Sequence, residues 1–123
     1  MQKLTKAEED VMQVLWALER CTVSQMLDYM EQQLGLSRPP HSTISSIVRI
    51  IEEKGFLDHK AYGRTHEYFP LVSKDEYSRG TLKDFVQNYF DGSVKRLVSF
   101  MVQENDLSLK DLTEMLEKLK DED

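Results

Sequence analysis

Short hydroxyl side chains and one arginine occupy the polar face of a helix predicted near the middle of this 123-residue chain. Four apolar residues recur at i, i+3, i+4 and i+7 and define its buried face, namely Ile44, Ile47, Val48 and Ile51. The outward residues are then Thr43, Ser45, Ser46, Arg49 and, at the far end, Glu53. Small side chains let a helix end approach base edges in the DNA major groove, and hydroxyls and helix N-termini bind phosphate. The pattern predicts a DNA-contacting helix; an ordinary solvated Ser/Thr face is the alternative.

A second polar group surrounds a predicted β-hairpin. Residues 56–60 and 65–71 are rich in aromatic side chains and flank the sequence Ala61-Tyr62-Gly63-Arg64, which indicates two strands and a turn. A basic side chain at such a tip can lie on the DNA backbone or in the minor groove, and Arg64 is the strongest candidate. An edge hairpin with solvated charges is the alternative. The predicted DNA-binding residues are Arg38, His41, Ser42, Thr43, Ser45, Ser46, Arg49, Lys60, Tyr62 and Arg64.

The overall charge argues against a nucleic-acid partner, but the local charge does not. The chain has 22 acidic and 16 basic residues and a net charge of −6, and affinity for phosphate comes largely from Lys and Arg. Between Arg38 and His66, however, the sequence has five basic residues and three acidic ones, which gives a local charge of +2. The positive charge is therefore concentrated where the DNA contacts are predicted.

Catalytic and metal sites find little support in the sequence. His59 and His66 could face each other across the hairpin with Asp58 or Glu67 nearby, but two ligands of unknown register are weak evidence for a metal site. We expect these to be ordinary polar residues of the hairpin, without a metal. Cys21 is the single cysteine and is expected to be a packing thiol. The chain has no phosphate-binding loop, nucleophile elbow or HExxH motif, so we expect no catalytic residue, no enzyme activity and no cofactor.

Capping boxes and turn residues set the order of the elements. The four boxes are Thr5-x-x-Glu8, Thr22-x-x-Gln25, Ser73-x-x-Glu76 and Ser108-x-x-Asp111. Ser42 is expected to cap the helix that follows Pro39 and Pro40, and Gly35 and Gly55 are expected to end helices. Three helices and then a hairpin is the order of a winged helix-turn-helix. We predict a mainly α protein with a winged-helix DNA-binding domain at 1–72 and a helical dimerisation domain at 73–123.

The C-terminal helices carry more large apolar side chains than three short helices can bury by themselves. A second copy of the chain would cover them, so a homodimer is predicted. The interface residues are expected to be Phe85, Val86, Tyr89, Phe90, Val94, Leu97, Val98, Met101, Leu109, Leu112 and Leu116. Two alternatives are a single core with the N-terminal half, and a small-molecule pocket around the aromatic residues.

The N-terminus has no apolar signal region, and the most apolar stretch, Val11 to Leu18, is too short to span a membrane. A cytoplasmic protein without a membrane partner is expected.

Three segments give the chain a resemblance to the penicillinase-repressor (BlaI/MecI/CopY-type) transcriptional regulators. They are Leu4-Thr5-x-Ala7-Glu8-x-x-Val11-Met12-x-x-Leu15-Trp16, the stretch Thr43-Ile44-x-x-Ile47-Val48 leading into Lys54-Gly55-Phe56-Leu57-Asp58-His59-Lys60, and Gly63-Arg64-x-x-x-Tyr68-x-Pro70-Leu71. A weaker similarity continues at Asp106-Leu107-Ser108 and the final apolar helix. The resemblance covers essentially the whole chain.

The resemblance implies a homodimeric repressor that binds short inverted repeats and blocks transcription. It also implies that Thr43 contacts a base or phosphate, that Arg64 is the basic residue of the wing tip, and that Ser42, Ser45 and Ser46 lie at contacting positions.

Three departures from the family pattern stand out. Ile50 replaces an arginine that is common in relatives, and Phe100-Met101 stands where antibiotic-responsive members are cleaved at Asn-Phe. The paired C-terminal cysteines of the copper-sensing branch are absent from the sequence. Phe100 and Met101 mark a candidate cleavage region, and a sensor-protease is a candidate partner.

The predicted function is a DNA-binding transcriptional repressor that binds an inverted-repeat operator as a homodimer. The alternatives are a winged-helix module for protein contacts, and a ligand-sensing regulator with a pocket in the C-terminal helices.

Overall fold

The computed structural model describes residues 3–104 and 108–121, and in them the chain forms six helices and one antiparallel hairpin. The elements are α1 (Lys6–Leu18), α2 (Val23–Gln32), α3 (His41–Glu53), β1 (Leu57–Tyr62), β2 (Thr65–Pro70), α4 (Lys74–Phe90), α5 (Val94–Gln103) and α6 (Leu109–Asp121). This order confirms the predicted winged helix-turn-helix followed by C-terminal helices. Asp106 and Leu107, which belong to the weaker similarity, lie outside the described residues.

Local hydrogen bonds start the helices where the capping boxes predict. The Thr5 hydroxyl accepts from the Glu8 amide at 3.2 Å, and the Glu8 carboxylate accepts from the Thr5 amide at 3.0 Å. Thr22 and Gln25 repeat this exchange at 3.2 and 2.9 Å. Ser108 and Asp111 also make both bonds of the box, at 3.0 and 3.4 Å. Ser73 accepts from the Glu76 amide at 3.1 Å, but the Glu76 carboxylate accepts from the Ser73 hydroxyl instead of the Ser73 amide. Each cap satisfies amides that the first helical turn leaves without a partner.

The expected cap at Ser42 is wrong. Helix α3 begins one residue earlier, at His41, with Pro40 at the N-cap position and no side-chain cap. Pro40 has φ −60° and ψ 140°, and its carbonyl accepts from the amides of Thr43 at 3.1 Å and Ile44 at 3.4 Å. Because the proline ring fixes φ at a value compatible with a helix boundary, the helix starts there without a hydroxyl cap. Ser42 is the second helical residue, and its side chain is exposed.

The hairpin is longer at its tip than predicted. Tyr62 pairs with Thr65, so the loop is only Gly63-Arg64, and Ala61 and Tyr62 belong to β1 rather than to the turn. Gly63 has φ +64°, and glycine at the first position of a two-residue loop is the pattern of a type II′ turn. At the other end, Phe56 precedes β1 and is buried in the core. The tight turn places the Arg64 side chain at the end of the hairpin.

The first compact unit of the chain runs to Tyr77. Its core joins the apolar faces of α1, α2 and α3 to the hairpin, and its most deeply buried side chains include Met12, Leu15, Met26, Val48 and Phe56. Cys21 forms an antiparallel bridge with Tyr68, with N···O distances of 3.0 and 2.7 Å. The bridge ties the loop between α1 and α2 to the hairpin.

One ion pair joins the start of α1 to the end of α3. The Lys54 ammonium lies 2.6 Å from the Glu8 carboxylate, and the Glu8 side chain is nearly buried. Burial alone would raise the pKa of Glu8, but the hydrogen bonds from Lys54 and Thr5 outweigh it and hold that pKa below its ordinary value. The pair therefore holds the C-terminal end of α3 against the start of α1.

The second compact unit is formed by residues 78–123, and it leaves many apolar side chains exposed. The rings of Phe90 and Phe100 pack edge to face, with centroids 5.6 Å apart, and join α4 to α5. The first turn of α4 belongs to the first unit because the Tyr77 ring lies against Trp16 and Phe56. No helix in the described residues is long and apolar enough to cross a membrane.

Candidate nucleic-acid interface

Polar residues of α2, α3 and the hairpin meet around one open cleft of about 390 Å³. Its lining comes from the start of α2, one stripe of α3 and the strand that follows the hairpin turn. The residues are Thr22, Val23, Ser24, His41, Ser45, Arg49, Arg64, Thr65, His66 and Tyr68. Four of the predicted DNA-binding residues, His41, Ser45, Arg49 and Arg64, are therefore brought together.

The lining residues of α3 lie on one side of the helix because of their spacing. His41, Ser45 and Arg49 follow one another at intervals of four, which aligns them on a single stripe. The Ser45 hydroxyl and the His41 ring nitrogen Nδ1 are 3.2 Å apart. The stripe borders the buried face of α3 that contains Ile44 and Val48, and it lines the cleft together with residues of the hairpin.

The remaining predicted residues of α3 are exposed but lie outside the cleft. Ser42, Thr43 and Ser46 occupy the part of the helix surface that continues away from the hairpin. Ile50 is also exposed there, with 43% of its surface accessible. The exposed surface of α3 therefore has two parts, one shared with the hairpin and one open to solvent.

Two arginines of the cleft lack an acidic partner. Among the described residues, no Asp or Glu side chain lies within 4.0 Å of the Arg49 or Arg64 guanidinium group. Arg38, by contrast, lies 2.8 Å from Asp28 and 3.6 Å from Glu31. Arg38 stands apart from the cleft with its charge neutralised, whereas Arg49 and Arg64 present positive charge to it.

Lys60 and Tyr62 lie on the hairpin but outside the cleft lining. The Lys60 ammonium stands 5.4 Å from the centroid of the Tyr62 ring, and both side chains are exposed. They extend the polar surface along β1 toward the tip.

The sequence did not indicate Thr22, Ser24 or Thr65 as site residues. Thr22 was recognised as a cap, but only the folded chain brings the start of α2 beside the hairpin. A helix N-terminus favours an anion because its first amides point outward. At the base of the cleft Tyr68 is buried, and this burial, with the nearby Glu52 carboxylate, raises its pKa. The cleft thus combines two arginines, hydroxyl groups and a helix N-terminus, which suits a polyanion.

A second contact joins α3 to the hairpin beside the cleft. The His59 Nδ1 atom lies 2.5 Å from a Glu52 carboxylate oxygen, and the His59 ring stacks on His66 with centroids 4.2 Å apart. His59 and His66 thus face each other across the hairpin, the arrangement that the sequence allowed. Glu67 instead pairs with Arg20 at 3.2 Å, so Glu52 replaces it beside the histidines.

Cys21 has the environment of a packing thiol. Its side chain is buried, and burial together with the nearby Glu67 charge raises its pKa to about 12. The thiol is therefore protonated at neutral pH and is a poor nucleophile.

The predicted dimerisation residues differ in how much surface they leave open. Phe85, Tyr89, Val94, Leu109 and Leu116 are exposed, and Phe90, Leu97, Val98, Met101 and Leu112 are half-buried. Val86 is buried within the single chain, so little of its surface is left for a partner. One hollow of this unit is lined by Asp111, Glu114, Met115 and Lys118, all on the surface of α6.

Comparison with known proteins gives consistent matches over most of the chain. The sequence profile of the family described as Penicillinase repressor matches residues 4–121. The methicillin resistance regulatory protein MecI of Staphylococcus aureus (strain N315) is 25% identical over 113 residues, which cover 92% of this chain and 89% of MecI. The penicillinase repressor of Bacillus licheniformis is 22% identical over 119 residues, covering 97% and 91% of the two chains. A solved chain of the hsRosR-S4 complex has the same fold, with a TM-score of 0.54, 18% identity and coverage of 85% of this chain and 91% of that one.

Proposed function

We propose, since the chain belongs to the penicillinase repressor family, that it binds an inverted-repeat operator as a homodimer and represses transcription by blocking access of the polymerase. At the coarser level the chain is a DNA-binding transcriptional repressor, the class to which its family belongs. The proposal assigns DNA contact to α3 and the hairpin, and dimer contact to the C-terminal helices.

The observation that carries the DNA assignment is the pair of arginines at the cleft. Arg49 comes from α3 and Arg64 from the hairpin tip, and neither has an acidic partner among the described side chains. An unpaired arginine can make a bidentate contact with guanine or neutralise a phosphate. In the proposed complex Arg49 approaches base edges with α3, and Arg64 lies on the backbone or in the minor groove.

Hydroxyl groups complete the proposed contacts. Ser42, Thr43, Ser45 and Ser46 are on the first turns of α3 and are short enough to let the helix enter the groove. Thr22 and Ser24 at the start of α2 are added as phosphate contacts, because the α2 N-terminus opens onto the same cleft.

The homodimer assignment rests on exposed apolar surface. Of the thirteen large apolar side chains that are exposed in the described residues, eight lie in the second unit, between Leu82 and Leu116. Covering a large apolar side chain stabilises a protein by about 1.5–3 kcal/mol. A second copy of the chain supplies an equal apolar surface, and two-fold symmetry is the commonest arrangement of such dimers.

A two-fold dimer dictates the form of the operator. Two recognition helices related by a dyad read two half-sites about 10–10.5 base pairs apart, or a multiple of that spacing. The net charge of −6 limits non-specific attraction to DNA. The positively charged clefts of both subunits are therefore needed for useful affinity, and separating the dimer releases the DNA.

The candidate cleavage region offers one way to separate the dimer. Phe100 and Met101 lie inside α5, and the Phe100 carbonyl accepts from the Glu104 amide at 3.0 Å. A sensor-protease would therefore need to unwind the end of α5 before it could cleave there. Cleavage between Phe100 and Met101 would separate α6 from the rest of the chain and so remove part of the proposed interface.

In vitro selection from a random duplex library tests the proposed function. The wild-type chain should enrich an inverted repeat, and the Arg49→Ala variant should bind that repeat more weakly and with less preference for its sequence. The Arg20→Ala variant is the control, because the Arg20 charge is already paired with Glu67. Failure to enrich any sequence, or enrichment of one without dyad symmetry, would show that the proposal is wrong.

A further inference from the structure

Three metal-ligating side chains meet where the hairpin joins α3. Glu52 comes from the last turns of α3, and Asp58 and His59 are neighbours on β1. One donor atom of each residue lies within 4.8 Å of the donor atoms of the other two. We propose that these residues bind a divalent first-row transition-metal ion such as Zn²⁺, which joins α3 to the hairpin. From the sequence, His59 and His66 gave only two uncertain ligands; the folded chain adds Glu52.

The donor types select the class of metal. One imidazole nitrogen with two carboxylates suits Zn²⁺ and similar transition ions, whereas Mg²⁺ and Ca²⁺ take oxygen ligands. Ligand bonds to Zn²⁺ are about 2.0–2.2 Å long, so donors around one ion lie at most about 4 Å apart. A separation near the 4.8 Å limit of the cluster would shorten by about 1 Å, whereas His59 Nδ1 and Glu52 Oε2, now 2.5 Å apart, would move apart by about 1 Å. Water would complete the coordination.

The His59–Glu52 contact holds two of the ligands in place before a metal binds. The two side chains are about 30% and 28% exposed, and their donor atoms are 2.5 Å apart. On binding, Nδ1 gives its lone pair to the ion, and the proton shared with Glu52 moves to Nε2 or to solvent. The stacked His66 ring, inclined by 12° to that of His59, restricts rotation of His59 and is not counted as a ligand.

The charge at this position also favours a cation. No Lys or Arg lies within 4.0 Å of the Glu52 or Asp58 carboxylate among the described residues. The cleft lined by Arg49 and His66 is directly adjacent, so two carboxylates without a Lys or Arg partner stand beside the proposed DNA surface. A divalent ion would neutralise them. The metal site itself does not depend on DNA binding.

Zinc competition against a chromophoric chelator, with the full chain and no DNA, tests the proposal. The wild type should bind one Zn²⁺ per chain, and Glu52→Gln, Asp58→Asn and His59→Asn should each weaken binding at least tenfold. Glu53→Gln is the matched control, since Glu53 is an exposed neighbour on α3 outside the cluster and should bind as the wild type does. Absence of stoichiometric binding, or equal affinity in all four variants, would overturn the proposal.

A measurement on the unaltered chain guards against variants that fail to fold. In nitrogen-15 NMR spectra of the imidazole groups, Zn²⁺ should shift the His59 Nδ1 signal strongly and leave that of His41 unchanged. Equal shifts at both histidines, or none at His59, would show that the ion does not bind at this cluster. Because no DNA is present, failure here leaves the repressor proposal intact, and failure of DNA binding leaves the metal site intact.

Discussion

Replacing Arg64 with alanine removes an exposed charge at the hairpin tip that no acidic side chain in the described structure neutralises. If each Arg64 contacts one phosphate, each chain loses one released counterion, and the dimer loses two. The slope of log K against log salt concentration then falls by about 1.8 in magnitude, since each phosphate contact contributes about 0.9. Between about 50 and about 200 mM salt, the variant should lose about tenfold less affinity than the wild type.

Fluorescence anisotropy with a labelled, selected duplex at five salt concentrations measures this slope. The matched control is Arg20→Ala, which removes the same formal charge from a side chain that already has partners within the protein. The Arg20 guanidinium lies 3.2 Å from Glu67 and 4.6 Å above the Phe69 ring. The control should keep the wild-type slope. Equal slopes for Arg64→Ala and Arg20→Ala would mean that Arg64 touches no phosphate, and the proposed role of the hairpin would then be wrong.

Four further predictions concern stability, its pH dependence, assembly and reactivity. Lys54→Met removes the ammonium partner of the Glu8 carboxylate, which then keeps only the Thr5 amide as a donor, and should lower the free energy of unfolding in urea by about 1–3 kcal/mol. Because the folded state lowers the Glu8 pKa, the stabilisation by this carboxylate should be complete above pH 4.5 and be lost as the pH falls through the lower, folded-state pKa. The Glu8→Gln variant should show a weaker pH dependence of stability. An unchanged pH profile would contradict the lowered pKa of Glu8. Leu109→Glu, at an exposed residue of the predicted interface, should convert dimers to monomers in sedimentation velocity at micromolar concentration, whereas an unchanged dimer would exclude Leu109 from the interface. Cys21, with a pKa raised to about 12, should resist alkylation at pH 8 until urea unfolds the chain; rapid labelling of the native protein would contradict its burial.

Elements set by neighbouring residues were predictable from the sequence. The hydroxyl groups of Thr5, Thr22, Ser73 and Ser108 cap their helices as expected, because these hydrogen bonds span only three residues. Ser42 was misassigned because two boundary rules competed there. The sequence offered a hydroxyl cap, but the fixed φ of Pro40 started the helix one residue earlier.

Features that depend on distant residues were only partly predictable. Arg49 and Arg64 could be chosen as basic residues on a helix and a turn, but their common cleft, and its lining by Thr22 and Ser24, require the packing of α2 against the hairpin. Arg38, in the loop between α2 and α3, pairs with Asp28 ten residues earlier, so the sequence could not show that the Arg38 charge is neutralised. The His59–Glu52 contact depends in the same way on how β1 packs against α3.

The most direct test of the central claim is to cleave DNA from the hairpin itself. Thr65→Cys places a reactive thiol on an exposed residue at the cleft, while buried Cys21 stays unreactive, so an iron chelate can be attached at one place. Bound to the selected operator, this derivative should cut the duplex at two positions related by the dyad, one beside each half-site. Bound complexes that show no cleavage, or cleavage at a single unsymmetrical position, would contradict a homodimer that holds DNA through α3 and the hairpin.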